Sequence, residues 1–192
     1  MKSKISFLKQ CLSNPRHIGA VLPSSRYLAN KMVEGIDFNK ASVIVEYGPG
    51  TGVFTDKLLE YRNEDATIFI IENNLKFYRL LKDKYNGLDN IHIIHGSAEH
   101  IDQYLNQYNI PHVDYVISGL PFASLPQNIS TNILNSTRNI LKEKGKFITF
   151  QYSLVKKDFI NQFFKQINIK MELRNIPPAY VLNCNNHKKT VV

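Results

Sequence analysis

The sequence predicts a doubly wound α/β fold: a mostly parallel, seven-stranded sheet with helices on both faces and an antiparallel strand near one edge. Three observations predict it. Short β-branched runs alternate with amphipathic stretches from Val43 onward, the pattern of a parallel sheet covered by crossover helices. The first run leads straight into Gly48-Pro49-Gly50-Thr51-Gly52. The last two runs are separated only by a Pro177-Pro178 link, too short for a crossover, so they form an antiparallel hairpin.

Taken in order, Ile5, Leu8 and Leu12 fall at helical spacing beside Phe7 and Cys11, with Lys4, Lys9 and Gln10 opposite. That predicts a short amphipathic helix over 3–12, broken by Asn14-Pro15. Pro23-Ser24-Ser25 predicts a helix start, with the helix running to about Glu34. Val43 to Tyr47 is the first strand, and a helix follows with Val53, Phe54, Leu58 and Leu59 on one face. Thr67–Glu72, Ile91–His95 and Val113–Ser118 read as strands. Leu75–Tyr85, 101–108 and Asn128–Leu141 read as helices, the last closed by Gly145. The chain ends in a fifth strand over Lys146–Tyr152, a helix over Lys157–Gln166, and strands over Ile169–Asn175 and Ala179–Cys184. Residues 1–40 are read as a helical segment that caps the substrate side, and 41–192 as the catalytic domain.

The 192 residues suit one domain, and 43% apolar content rules out wholesale disorder. No apolar run approaches the ~20 residues of a membrane span, and Lys4 and Lys9 interrupt any leader-like region. Cys11 and Cys184 make neither a disulfide framework nor a metal site, so a reduced, cytoplasmic protein without metal is expected. The net charge of +8 is unevenly placed. Residues 1–40 carry seven basic and two acidic side chains, 41–141 seven and eleven, and 142–192 ten and three. Basic ends around an acidic middle suit nucleic acid, an anionic membrane or an acidic substrate.

The glycine cluster allows close backbone approach to a ligand at a helix N-terminus. A dinucleotide fingerprint would need a glycine at Val53, and a phosphate-binding P-loop would need a lysine. Neither fits. Val45 to Gly52 instead resembles the first motif of class I S-adenosylmethionine-dependent methyltransferases, a Rossmann-like family. The resemblance implies that Gly48, Gly50 and Gly52 pass the methionine part of S-adenosylmethionine and that Glu46 helps orient it. Glu72, twenty residues after Gly52, matches the carboxylate that holds the ribose hydroxyls. A carboxylate can accept from two adjacent hydroxyls. Ser97 and Ala98 fall where the family binds adenine, although many members have Asp at the position of Ser97. Ser97 alone also suits a helix cap. Ser118, ending the fourth strand, belongs with the cofactor-binding set.

Gly119-Leu120-Pro121-Phe122 then resembles the catalytic segment of amino-directed methyltransferases. Ribosomal RNA adenine dimethylases begin that segment with Asn, where this chain has Gly119. A resemblance over most of the chain is to bacterial phospholipid N-methyltransferases. It is carried by Phe7-Leu8-Lys9, Asn14-Pro15-Arg16, Gly19-Ala20-Val21, Pro23-Ser24-Ser25-Arg26, Ser118 to Phe122 and Arg174 to Ala179. It implies stepwise methylation of phosphatidylethanolamine by a protein attached peripherally to the inner face of the membrane. RNA or DNA adenine is the alternative acceptor. Arg16, Arg26 and Arg174 are the candidates for the lipid phosphate, since guanidinium offers parallel donors to phosphate oxygens. Tyr27, Phe122 and Tyr180 are the aromatic candidates for the amine, with core packing as their competing role. His17 and His100 are candidate bases. The forty residues after the fifth strand leave room for one helix and two strands, not for the extra helical domain of the dimethylases.

Overall fold

The structure, a computed structural model, describes residues 24–186. The 3–12 helix, Arg16 and His17 lie outside the described residues.

Seven strands form one sheet, ordered β3-β2-β1-β4-β5-β7-β6. They are β1 (Val43–Tyr47), β2 (Thr67–Glu72), β3 (Ile91–His95), β4 (Val113–Ser118), β5 (Leu141–Gln151), β6 (Gln166–Glu172) and β7 (Ala179–Asn185). The helices are α1 (Arg26–Val33), α2 (Val53–Tyr61), α3 (Leu75–Lys84), α4 (Ile101–Asn106), α5 (Gln127–Ile140) and α6 (Lys157–Asn161), with a 3₁₀ turn at Ala98–His100. β1 pairs in parallel with β2 and β4, and β7 runs antiparallel to both β5 and β6. The expected doubly wound sheet with one antiparallel strand near an edge is what the chain forms.

Strand alternation sorts the core into two layers. Val45, Tyr47, Phe69, Val116 and Phe147 face α4, α5 and α6 through Leu105, Leu134 and Ile160. Ile44, Ile68, Ile70, Ile117 and Ile148 face α1, α2 and α3 through Met32, Leu58 and Leu81. The central strands are apolar on both faces because both are covered. α1 belongs to this core: Leu28, Ala29 and Met32 are fully buried. Ser25 caps it, accepting from the Leu28 N–H at 3.1 Å.

Two boundaries differ from the sequence expectation. Lys157–Gln166 is not one helix: α6 stops at Asn161, and Gln166 already pairs with Asn185. Pairing with β7 draws β6 to 166–172, so Arg174 and Asn175 lie in the β6–β7 loop. The fifth strand does not wait for Lys146. Leu141 pairs with Val113, the exposed Lys142, Glu143 and Lys144 bulge out, and the ladder resumes at Lys146 opposite Tyr115. A bulge adds residues to one strand without ending the pairing. Gly145 therefore sits inside the strand rather than closing a helix.

The parallel strands end together at Tyr47, Glu72, His95, Ser118 and Gln151. β7 starts opposite that edge, with Tyr180 against Gln151. The β1–α2, β4–α5, β5–α6 and β6–β7 loops therefore share the carboxyl edge, where open α/β sheets bind ligands.

Candidate functional site

The cleft at this edge is lined by Gly48, Gly50, Thr51 and Gly119 together with Ser24, Phe54, Phe77 and Phe150. Gly50 has a φ of +58°, and a Cβ there would meet nothing within 4 Å. Its glycine serves the backbone conformation and leaves open space in front of the loop. From behind, Tyr85 fixes the loop, its one hydroxyl proton shared between the Gly52 carbonyl at 3.0 Å and Asp56 at 2.8 Å. Burial first, then Asp56, raises the Tyr85 pKa, so it stays a donor.

Glu72 ends β2 beside this loop. Its carboxylate accepts from the Gly50 N–H at 3.2 Å and from the Asn74 N–H at 2.7 Å. Burial raises its pKa, with the N–H groups of Asn74, Gly50 and Asn73 opposing. Glu46 is more deeply placed, with no exposed surface. Thr55 donates to its Oε2 at 2.6 Å, while its Oε1 is buried without a partner among the described residues. Burial pushes its pKa up to about 8, with Asp56 and Glu72 adding to the rise. Among the described residues the Glu46 Oε1 thus keeps an unmet acceptor in the strand that leads into the glycine loop.

Ser118 is buried and accepts from the Leu120 N–H at 3.2 Å, shaping the turn out of β4. Ala98 is buried, and Ser97 caps the 3₁₀ turn, accepting from the Glu99 N–H at 3.3 Å. In the segment after β4, Gly119 donates its N–H to the Tyr47 carbonyl at 2.8 Å. The Ser118 carbonyl accepts from Thr149, and the Leu120 carbonyl from Gln151 and the Phe122 N–H. Pro121 is exposed, while Phe122 is fully buried and meets Phe147 edge-to-face at 6.0 Å. The Phe122 ring therefore anchors the segment to the core rather than lining the cleft.

Comparison with known proteins joins this geometry to a family. Residues 21–146 match the family model described as ribosomal RNA adenine dimethylase. The chain belongs to this family.

Its relatives include an ornithine lipid N-methyltransferase of Singulisphaera acidiphila, 30% identical over 192 residues, which span 99% of this chain and 100% of that protein. A ribosomal RNA small subunit methyltransferase A of Borreliella afzelii is 29% identical over 148 residues, 73% of this chain and 48% of that protein. The chain thus spans about half the length of that second relative. A solved S-adenosylmethionine-dependent methyltransferase from Aquifex aeolicus superposes with a TM-score of 0.61 at 14% identity, covering 81% of this chain and 88% of that one. At that identity the likeness speaks for the fold.

The protein is an S-adenosylmethionine-dependent methyltransferase of this family, and the residues present fit that cofactor. The open space at Gly50, the Glu72 carboxylate and the orphaned Glu46 oxygen suit a cation carrying hydroxyls.

Close in sequence to Ser24, which lines the methyltransferase cleft, Arg26 and Tyr27 come together with Arg174, a third candidate substrate residue. The Arg174 guanidinium lies 4.2 Å from the Tyr27 ring centroid, and that of Arg26 5.0 Å. Arg26 also donates to the Tyr27 hydroxyl at 3.1 Å. Arg174 is not a bare cation. It donates from Nε and Nη2 to Glu172 at 2.9 and 3.1 Å, and this bond with the Arg174 N–H holds the Glu172 pKa down to about 2. Tyr180 packs half-buried against the core, and the exposed His100 is not among the residues lining the cleft. The sequence reading missed Phe54, Phe77 and Phe150 as cleft residues. Phe54 falls on the core face of its helix and is buried there, and strand alternation alone leaves Phe150 on either side. Phe54 and Phe150 meet edge-to-face at 5.7 Å, and Phe150 meets Tyr152 at 5.4 Å.

Proposed function

We propose that this methyltransferase transfers methyl groups to the amine of a membrane-lipid head group. The observation that carries the reading is Gly119. A planar base amine is best held by an in-plane side-chain amide, and a Cβ at Gly119 would lie 2.6 Å from the Gly48 carbonyl oxygen. The position thus has no amide and no room for one. An alkylamine asks for less: a carbonyl acceptor and an aromatic wall. The Gly119 carbonyl has no protein partner among the described residues, unlike its neighbours at Ser118 and Leu120. Phe54 and Phe150 stand on the same cleft.

The bound cofactor supplies a methyl group on a sulfonium, which leaves readily. The chain's own work is positioning, which can contribute several kcal/mol. In this reading Glu72 takes ribose hydroxyls, Glu46 faces the cationic end, and the Gly119 carbonyl orients the amine. Arg26 and Arg174 meet the anionic part of the head group, with the Tyr27 ring against both guanidiniums.

Phosphatidylethanolamine and ornithine lipid are the two head groups to test. The relative from Singulisphaera acidiphila acts on ornithine lipid by name. A second reading, methylation of adenine N6 in RNA or DNA, is supported by the family match over 21–146. Offering labelled cofactor to purified phosphatidylethanolamine, ornithine lipid and total RNA in parallel tests both. Label in either lipid supports the proposal. Label in RNA alone overturns it.

A further inference from the structure

We propose that the β5–α6 and β6–β7 loops are a membrane-docking edge, whose apolar tips enter the surface of an anionic bilayer and bring the cleft to the lipid. The proposal rests on the lipid-amine reading of the site and adds the surface by which substrate is reached.

Single exposed apolar residues are ordinary, but their clustering is not. Among the described residues the three most exposed large apolar side chains are Val155 at 82%, Ile176 at 76% and Leu173 at 68%; the next is Tyr61 at 48%. All three sit in these two loops, and Leu154 joins them. Both loops leave the carboxyl edge, since Gln151 pairs with Tyr180 and Glu172 with Ala179. They are also tied to each other and to the cleft. The Asn175 side chain lies near enough to Tyr152 to oppose the rise in its pKa that burial causes, and the Asn175 Oδ1 accepts from the Ser25 N–H at 3.0 Å. Ser25 adjoins Ser24, which lines the cleft. The tips are therefore held beside the site rather than scattered.

The charges around the tips favour a lipid surface over a second protein copy. Arg26, Lys156 and Lys157 flank them against one exposed acid, Asp158, while Arg174 and Glu172 offset each other as an ion pair. A net positive surround of apolar tips matches anionic head groups above acyl chains. A homodimer would instead bring two such positive surfaces together.

The chain contains no tryptophan, so one introduced residue reports alone. Val155→Trp, Ile176→Trp and, as a control on the loop before β3, Leu88→Trp are placed in the full chain. Vesicles of phosphatidylglycerol and phosphatidylcholine, with and without brominated acyl chains, are then added. Blue-shifted emission and bromine quenching at 155 and 176, but not at 88, is the expected result. The triple variant V155S/L173S/I176S should bind these vesicles roughly 100-fold more weakly while keeping wild-type S-adenosylmethionine affinity by calorimetry. Emission already blue in buffer, and unchanged by vesicles, would mean another part of the protein or a second copy covers the tips, and would overturn the proposal. So would equal quenching at all three positions, or unchanged vesicle affinity of the triple variant. Methylation of lipid amines with unshifted tryptophans removes the docking edge and leaves the substrate reading standing. Insertion at 155 and 176 with label in RNA alone removes the substrate reading and leaves the edge.

Discussion

A side chain on Gly119 would place its Cβ 2.6 Å from the carbonyl oxygen of Gly48. The segment after β4 and the glycine loop after β1 are thus packed backbone to backbone. The Gly119 N–H to Tyr47 carbonyl bond at 2.8 Å holds them there. Gly119→Asn should destabilise the fold by about 1–3 kcal/mol through overpacking, read as a lowered denaturation midpoint. It should also weaken cofactor binding, because the displaced atoms belong to the glycine loop. Wild-type stability and affinity in this variant would show that the loop has slack.

The glycine loop makes its own prediction. Gly50 combines a φ of +58° with open space in front. A β-branched residue is strained in that region by roughly 1–2 kcal/mol, and its methyls would project into the space left for the ligand. Gly50→Val should lose at least ~100-fold in S-adenosylmethionine affinity, or about 2.7 kcal/mol, by calorimetry. Intact binding would move the cofactor elsewhere.

Glu46 predicts a pH dependence. Its pKa in the fold is about 8 against an ordinary value of 4.5. Below 4.5 both folded and unfolded chains hold the proton. Between 4.5 and 8 the unfolded chain releases it and the apo fold retains it, so this residue's contribution to stability falls as pH rises and is fully lost above 8. At about 1.4 kcal/mol per unit the loss is on the order of a few kcal/mol. Denaturation of wild type and Glu46→Gln across pH 5–9 should therefore diverge, the variant holding up better at the alkaline end. A cation bound beside the carboxylate favours its ionised form. Cofactor binding at pH 7 should then release a proton, seen as a calorimetric enthalpy that varies with the buffer's ionisation heat. A buffer-independent enthalpy would confine Glu46 to bonding Thr55.

The Arg26, Tyr27 and Arg174 cluster separates substrate capture from cofactor binding. Arg26→Ala and Arg174→Ala should raise KM for a lipid amine about tenfold each, roughly 1.4 kcal/mol, without changing S-adenosylmethionine affinity. Arg174→Ala also strips Glu172 of its guanidinium partner, leaving a carboxylate held only by the Arg174 backbone N–H beside the substrate's anionic group. E172Q/R174A should therefore recover part of the lost KM. No change in KM in either arginine variant would confine the cluster to holding the β6–β7 loop.

Much of this was legible in the chain. The strands β2, β3 and β4 and the loop at Gly48–Gly52 follow from short-range pattern alone. The types of a residue and its neighbours within a few positions decide these elements, and a covered parallel strand such as β2 reads as a near-continuous apolar run. The cap at Ser25 is equally local. That Glu46 and Glu72 come to lie beside the glycine loop could be anticipated because the ends of adjacent parallel strands converge in this topology.

What only the tertiary structure decided depends on contacts between distant residues. Gln166 becomes strand because Asn185 is opposite it, and Leu141 because Val113 is. Arg174 reaches Tyr27 because Asn175, 150 positions from Ser25, accepts its N–H. Phe122 turns to the core and Phe150 to the cleft, although both read as aromatic residues near strand ends. Local sequence sets which residues prefer burial or a turn. Which partner each meets is settled by long-range packing, where one neighbour excludes another and the chain keeps the arrangement that buries the most surface with its polar groups paired.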